Sequence, residues 1–151
     1  EKLNGYITGA YIYNKMGLTE QVATTITIAT PNPVRRFRFK NLDIECVKAY
    51  CMVYPDESLV PYLRLLDAIK DMKRIPGTTG QDIYNRVKSQ YFNGYSLPEL
   101  EKIVSLAKSY PPRVRKVVAD ILGDIRQTVL QTEMAKTILP TTRFNLDYKT
   151  A

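Results

Sequence analysis

The spacing of apolar residues switches in mid-chain, from every second position across the stretch of about residues 24–49 to every third or fourth from residue 58 through most of the remainder. That switch constrains the fold more tightly than any other feature. A period of two sends side chains alternately to the two faces of a strand, whereas a period near 3.6 gathers them into one helical stripe. A small sheet built early in the chain therefore has to pack against a helical second half, which is an α+β arrangement.

Individual elements follow from their start and stop signals. Residues 5–18 (GYITGAYIYNKMGL) carry Ile7, Ala10, Tyr11 and Leu18 at helical spacing and close on Gly17, which predicts a short first helix. ATTITIATP alternates Ile26 and Ile28 with Thr25 and Thr27 and stops at Pro31-Asn32-Pro33, as a strand and turn would. VRRFRFKN sets Phe37 and Phe39 on one face and Arg36, Arg38 and Lys40 on the other, and a turn at Asn41 leads into LDIECVKA, predicting a hairpin. With these strands the sheet is mixed or antiparallel and has three to four members. Ser58 is placed to cap a helix with Tyr62, Leu65, Leu66, Ile69 and Met72 on one stripe, ended by Pro76-Gly77. A shorter helix holds Ile83, Val87 and Tyr91; Ser96 and Glu99 form a capping box for the next. Pro111-Pro112 opens a further helix through Val114, Val118, Ile121 and Ile125, which runs on or restarts towards Leu139. The tail TTRFNLDY alternates Phe144, Leu146 and Tyr148 like a last edge strand, an edge open to pairing with a second copy as a homodimer.

At 151 residues and 44% hydrophobic composition, the chain suits one domain with a real core. It has no histidine, which excludes a Ser-His-Asp triad, a Cys-His pair and a histidine metal site within the chain. Cys46 and Cys51 lie an odd five residues apart in a stretch that reads as strand, so they point to opposite faces and fit buried thiols in a reducing cytoplasm. No apolar run approaches the ~20 residues that cross a bilayer. The first residue is Glu1, close to a predicted helix start, which fits a fragment of a longer protein. Lys and Arg outnumber Asp and Glu by 22 to 15, a balance that favours acidic partners such as nucleic acid or serves solubility alone.

Several residue groups are candidates for chemistry. Gly77-Thr-Thr-Gly80 invites a phosphate-loop reading, but Gln81 and Asp82 stand where lysine and a hydroxyl belong, so a helix stop and restart explains it better. Asp43, Glu45 and Lys48 resemble the acids and lysine of a Mg²⁺ nuclease, yet Glu45 and Lys48 are three apart and fall on opposite strand faces. The row Arg36, Arg38, Lys40 would repeat about every 7 Å along one strand face, close to phosphate spacing; the other reading is the polar outer face of a half-buried strand. Arg113, Arg115 and Lys116 place cations at a helix N-terminus, where the dipole disfavours them, and so point to an anion nearby. Tyr6, Tyr11, Tyr13, Tyr91 and Tyr95, among eleven tyrosines, offer stacking faces for bases or ordinary packing.

In order along nearly the whole chain, GYITGAYIYNKMGLTEQV, TTITIATP, VRRFRFK, LLDAIKDMKRIPG, YPPRVRKVVADILGDI and LPTTRFNL resemble the C-terminal part of AbiEi-like type IV antitoxins. The resemblance implies a cytoplasmic, non-enzymatic antitoxin that counteracts a nucleotidyltransferase toxin encoded beside it, with no stable complex between them. It also implies an upstream winged helix-turn-helix domain, absent from this sequence, that binds the operon's own promoter. It supplies no catalytic residue, cofactor or metal. The alternatives from residues alone are a nucleic-acid-binding regulator domain and a metal-dependent nuclease built on Asp43 and Glu45.

Overall fold

The computed structural model describes residues 5–31, 36–51, 57–144 and 148. Its four strands are β1 (Tyr6–Thr8), β2 (Thr25–Thr30), β3 (Arg36–Phe39) and β4 (Leu42–Lys48). The described residues also form helices α1 (Ala10–Lys15), α2 (Val60–Lys70), α3 (Gly80–Gln90), α4 (Leu97–Ala107), α5 (Pro112–Asp124) and α6 (Thr128–Ala135), with short 3₁₀ turns at Glu57–Leu59 and Phe92–Gly94. The fold is α+β. The sheet is mixed, in the order β1-β2-β4-β3, with β2 and β4 parallel and both outer pairs antiparallel. Lys40 and Asn41, both at positive φ, form the two-residue link of the β3–β4 hairpin, the pattern that matches strand twist.

The predicted first helix is divided. Tyr6–Thr8 pairs with Ala29, Ile28 and Thr27 of β2, and only Ala10–Lys15 is helical. Gly9 makes the break: its φ is +80°, and a Cβ there would stand 2.6 Å from Thr27, so the chain turns sharply while lying against β2. Gly17 closes α1 as its position predicts, with the Leu18 N–H donating to the Tyr13 carbonyl at 2.9 Å.

The helical half follows the sequence more closely. Thr79 caps α3 by accepting from the Asp82 N–H at 3.1 Å, so the Gly77–Gly80 stretch is a helix stop and restart. Ser96 and Glu99 form the predicted capping box of α4. Ser58 does not cap α2; it lies in a 3₁₀ turn, Glu57–Leu59, and Leu59 holds the cap position. The long apolar run after Pro112 is interrupted at Arg126, whose φ of 66° ends α5 and lets α6 restart. The predicted terminal strand is not formed at residues 142–144, and 145–147 lie outside the described residues. Tyr148 is buried, stacked on Tyr84 at 5.1 Å and donating to Asp120 at 2.6 Å, because a tyrosine that can reach a carboxylate gains more inside than on a sheet edge.

Strand registers fix which sheet face meets the helices. Tyr6, Thr8, Thr27, Ala29, Glu45, Val47, Asp43, Arg36 and Arg38 share one face. That face receives the helical half: Ala29 belongs to the buried core, Val47 packs against it, and Tyr6 and Thr8 bond to α2. The opposite face carries Ile7, Ile26, Ile28, Phe37, Phe39, Ile44 and Cys46, all half-buried or exposed. Cys46 is therefore only partly covered, while Cys51, beyond the end of β4, is buried; both thiols are free.

Asp67 of α2 joins the two halves. Its Oδ2 accepts from the Tyr6 hydroxyl at 2.7 Å and the Thr8 hydroxyl at 2.8 Å, and its Oδ1 accepts from the Tyr110 hydroxyl at 2.7 Å. Burial raises the Asp67 pKa above the ordinary carboxylate value, and the bonds from Tyr6 and Tyr110 only partly oppose that. The same burial and the neighbouring carboxylate push the Tyr6 and Tyr110 hydroxyls upward, so they remain donors at any ordinary pH.

Two outcomes are expected. Asp67→Ala strands the Tyr6 and Thr8 hydroxyls and leaves Tyr110 only its 3.4 Å bond to the Leu63 carbonyl; at about 1–3 kcal/mol for each buried polar group left unpaired, it should lower urea-unfolding stability by at least ~2 kcal/mol. A raised folded-state pKa means the native protein holds this proton more tightly; the resulting stability is complete below the unfolded-state value of about 3.9 and is lost as pH rises through the folded value. Asp67→Asn, which cannot ionise, should flatten that fall in melting curves recorded from about pH 4 to 8; an unchanged profile would show that another group governs it.

Candidate anion-binding cleft

Where the sheet meets α2 and α5 the surface opens into a cleft of about 620 Å³. The β1–α1 junction supplies Thr8, Gly9, Ala10 and Tyr13, and the sheet adds Thr27, Glu45, Val47 and Lys48, with Tyr50 just beyond. The end of α2 and the segment after it contribute Lys70, Asp71, Arg74, Ile75 and Pro76, and the start of α5 contributes Pro111, Arg113 and Val114. Four of these residues are cations and two are carboxylates.

Both carboxylates are already engaged. Asp71 accepts from the Tyr13 hydroxyl at 2.7 Å and lies 3.7 Å from Lys70 and 3.9 Å from Arg74. Glu45 faces Arg36 at 3.6 Å across the β3–β4 ladder. Lys48 and Lys70 lie over the Tyr50 ring, at 5.7 and 5.5 Å. Arg113 has no such partner: its Nε and Nη2 are buried and make no hydrogen bond. Nε and Nη2 form the side-on fork with which a guanidinium binds an oxyanion in two parallel bonds. Buried donors without acceptors cost stability, so a polar group left this way in a native fold calls for a cause.

The other predicted binding residues are dispersed. Arg36 and Arg38 share a face as expected, but each pairs with a carboxylate of β4: Arg36 with Glu45, and Arg38 with Asp43 at 3.2 Å. Their side chains are 81% and 70% exposed, so these pairs are weak surface contacts. This face turns toward the helices and continues past their edge, rather than being the sheet's outer side. Lys40 is not in the row; it sits in the hairpin turn, its ammonium 5.5 Å from the Phe39 ring. Arg115 donates to the carbonyls of Tyr110 and Thr137, fastening the loop after α6, and Lys116 bonds Asp120 at 3.0 Å one turn along α5.

Glu45 and Lys48, predicted on opposite faces, both line the cleft, because Lys48 ends its strand and its long stem carries the ammonium over Tyr50. Asp43 and Glu45 are held by arginines, and among the described residues no three His, Cys, Asp or Glu side chains gather as a metal-holding group. The singled-out tyrosines pack: Tyr6 and Tyr13 are buried, Tyr91 donates to the Met16 carbonyl at 2.9 Å, Tyr95 meets Tyr62 edge-on at 5.6 Å, and Lys15 covers Tyr11. Burial pushes the Tyr95 hydroxyl up to about 12. Lys70, Asp71 and Arg74 escaped sequence reasoning; KDMKR reads as the basic end of a helix, and only the fold turns it into the cleft.

Comparison with protein-family models, curated proteins and solved structures finds no match to this chain. No helix among the described residues is long and apolar enough to cross a membrane.

Neutral replacement separates the two kinds of arginine. Arg113→Met removes buried unpaired donors and should stabilise the fold by about 1 kcal/mol, a rise in Tm of roughly 2–4 °C. Arg38→Ala should change stability by less than ~1 kcal/mol, as exposed pairs do. Thermal and urea unfolding test both, and a large loss for Arg113→Met would mean that its guanidinium holds the fold together.

Proposed function

We propose that this chain is the effector domain of an AbiEi-like type IV antitoxin, acting by recognition of an anionic partner rather than by catalysis. One observation carries the proposal. Four of the six segments on which the sequence resemblance rests lie far apart in the chain and line a single cleft: GYITGAYIY through Thr8, Gly9, Ala10 and Tyr13, TTITIATP through Thr27, DMKRIPG through Asp71, Arg74, Ile75 and Pro76, and PPRVR through Pro111, Arg113 and Val114. The basic balance of the chain and the unpartnered Arg113 give that cleft an electrostatic task. In this proposal promoter recognition rests with the winged helix-turn-helix domain that the family carries upstream, and this domain counteracts the nucleotidyltransferase toxin.

Co-expression with the nucleotidyltransferase toxin of its own operon tests the proposal. The domain should restore colony formation, Arg113→Glu should lose that protection while remaining folded, and Lys108→Ala, outside the cleft, should keep it. Full protection by the Arg113→Glu variant would remove the cleft from the mechanism, and failure of the folded wild-type domain would overturn the antitoxin assignment for this chain.

A further inference from the structure

We infer that the cleft is a binding site for the phosphates of a nucleotide, with Arg113 as the principal ligand. The inference deepens the recognition role proposed above and gives its biological meaning through it, but its test needs no toxin. The cleft volume of about 620 Å³ lies within the range of about 300–1,000 Å³ that encloses small organic ligands. Its lining combines cations with an apolar wall of Pro76, Pro111 and Val114, matching a ligand charged at one end and flat and weakly polar at the other.

Charge pairing narrows the ligand further. Asp71 is shared between Lys70, Arg74 and the Tyr13 hydroxyl, and Glu45 is engaged by Arg36. Neither carboxylate makes a bond to Arg113, and Lys48 rests against a ring rather than an acid. A single carboxylate would satisfy the Arg113 fork and leave the remaining positive charge uncompensated. A di- or triphosphate supplies further negative charge for Lys48, Lys70 and Arg74, and the planar pair of oxygens that the Arg113 fork requires once its side chain turns from its buried position into the cleft. The start of α5, with no acidic residue in its first turn, adds the positive end of a helix dipole on the same side. Such phosphates come either from a free nucleoside triphosphate or from the phosphorylated end of a nucleic-acid chain.

Calorimetric titration of the purified 151-residue chain distinguishes these sources. The probes are ATP, GTP, CTP and UTP, inorganic pyrophosphate, adenosine, and a short oligonucleotide with and without a 5′-phosphate. Saturable binding is expected for at least one phosphorylated probe and not for adenosine. Arg113→Met should weaken it at least about tenfold, the loss of a bidentate charged contact, with melting temperature maintained or raised. Lys48→Ala, at an exposed cleft position, should weaken it less, and Lys108→Ala should leave it unchanged. Tighter binding of the 5′-phosphorylated oligonucleotide than of any triphosphate assigns the site to chain ends; the reverse assigns it to free nucleotides. Absence of binding by every phosphorylated probe, or binding that Arg113→Met leaves intact, overturns the inference. Phosphate binding without toxin protection would sustain it while removing the antitoxin role.

Discussion

Asp67 is the interaction on which the architecture depends. A carboxyl group enclosed by an apolar core is costly unless its oxygens are occupied, and here the occupants come from β1 and from Tyr110, the residue leading into α5. The requirement is therefore met only when sheet, α2 and the α4–α5 connection are all in place. This polar joint ties the sheet to the helices, and the cleft opens beside it, with Thr8 common to both. Tyr13 and Asp71 repeat the device one helical turn further along α2, with the hydroxyl donating at 2.7 Å and both residues facing the opening.

The joint also explains the unusual choice of sheet face. Alternation alone would turn Ile26, Ile28, Ile44 and Phe37 toward the helices, but the helical half lies on the face of Tyr6, Thr8 and Thr27. Hydroxyl-bearing side chains can reach a buried carboxylate, and isoleucine cannot. The exchange leaves Phe39 57% and Leu42 49% exposed on the far side. Beyond the helices, Arg36, Arg38, Asp43 and Glu45 continue the same polar face into solvent as two cross-strand ion pairs.

Function, in the proposal made here, belongs to the cleft and not to the sheet's basic row. Arginines that find carboxylates one strand away are held in place and partly neutralised; an arginine whose fork is buried without an acceptor is held ready for one. Arg113 differs from Arg115 only by two positions on α5, yet Arg115 is spent on the carbonyls of Tyr110 and Thr137. Residue type and sequence position could not separate them.

Where short-range physics governs, the sequence alone was sufficient. The change of apolar period fixed the α+β class, Gly17 and the Ser96–Glu99 box fixed helix ends, and the alternation about Asn41 fixed the hairpin, because each depends on residues within a few positions of one another. Tertiary structure decided what depends on distant partners. Tyr6–Thr8 became a strand because β2 was available to pair with it, Tyr148 went inward because Asp120 was within reach, and the sheet turned its polar face to the helices because Asp67 was there to be satisfied. The cleft is the extreme case: its cations come from β4, α2, the segment after α2 and α5, and only packing brings Lys48, Lys70, Arg74 and Arg113 around one opening while leaving the last of them without an acceptor.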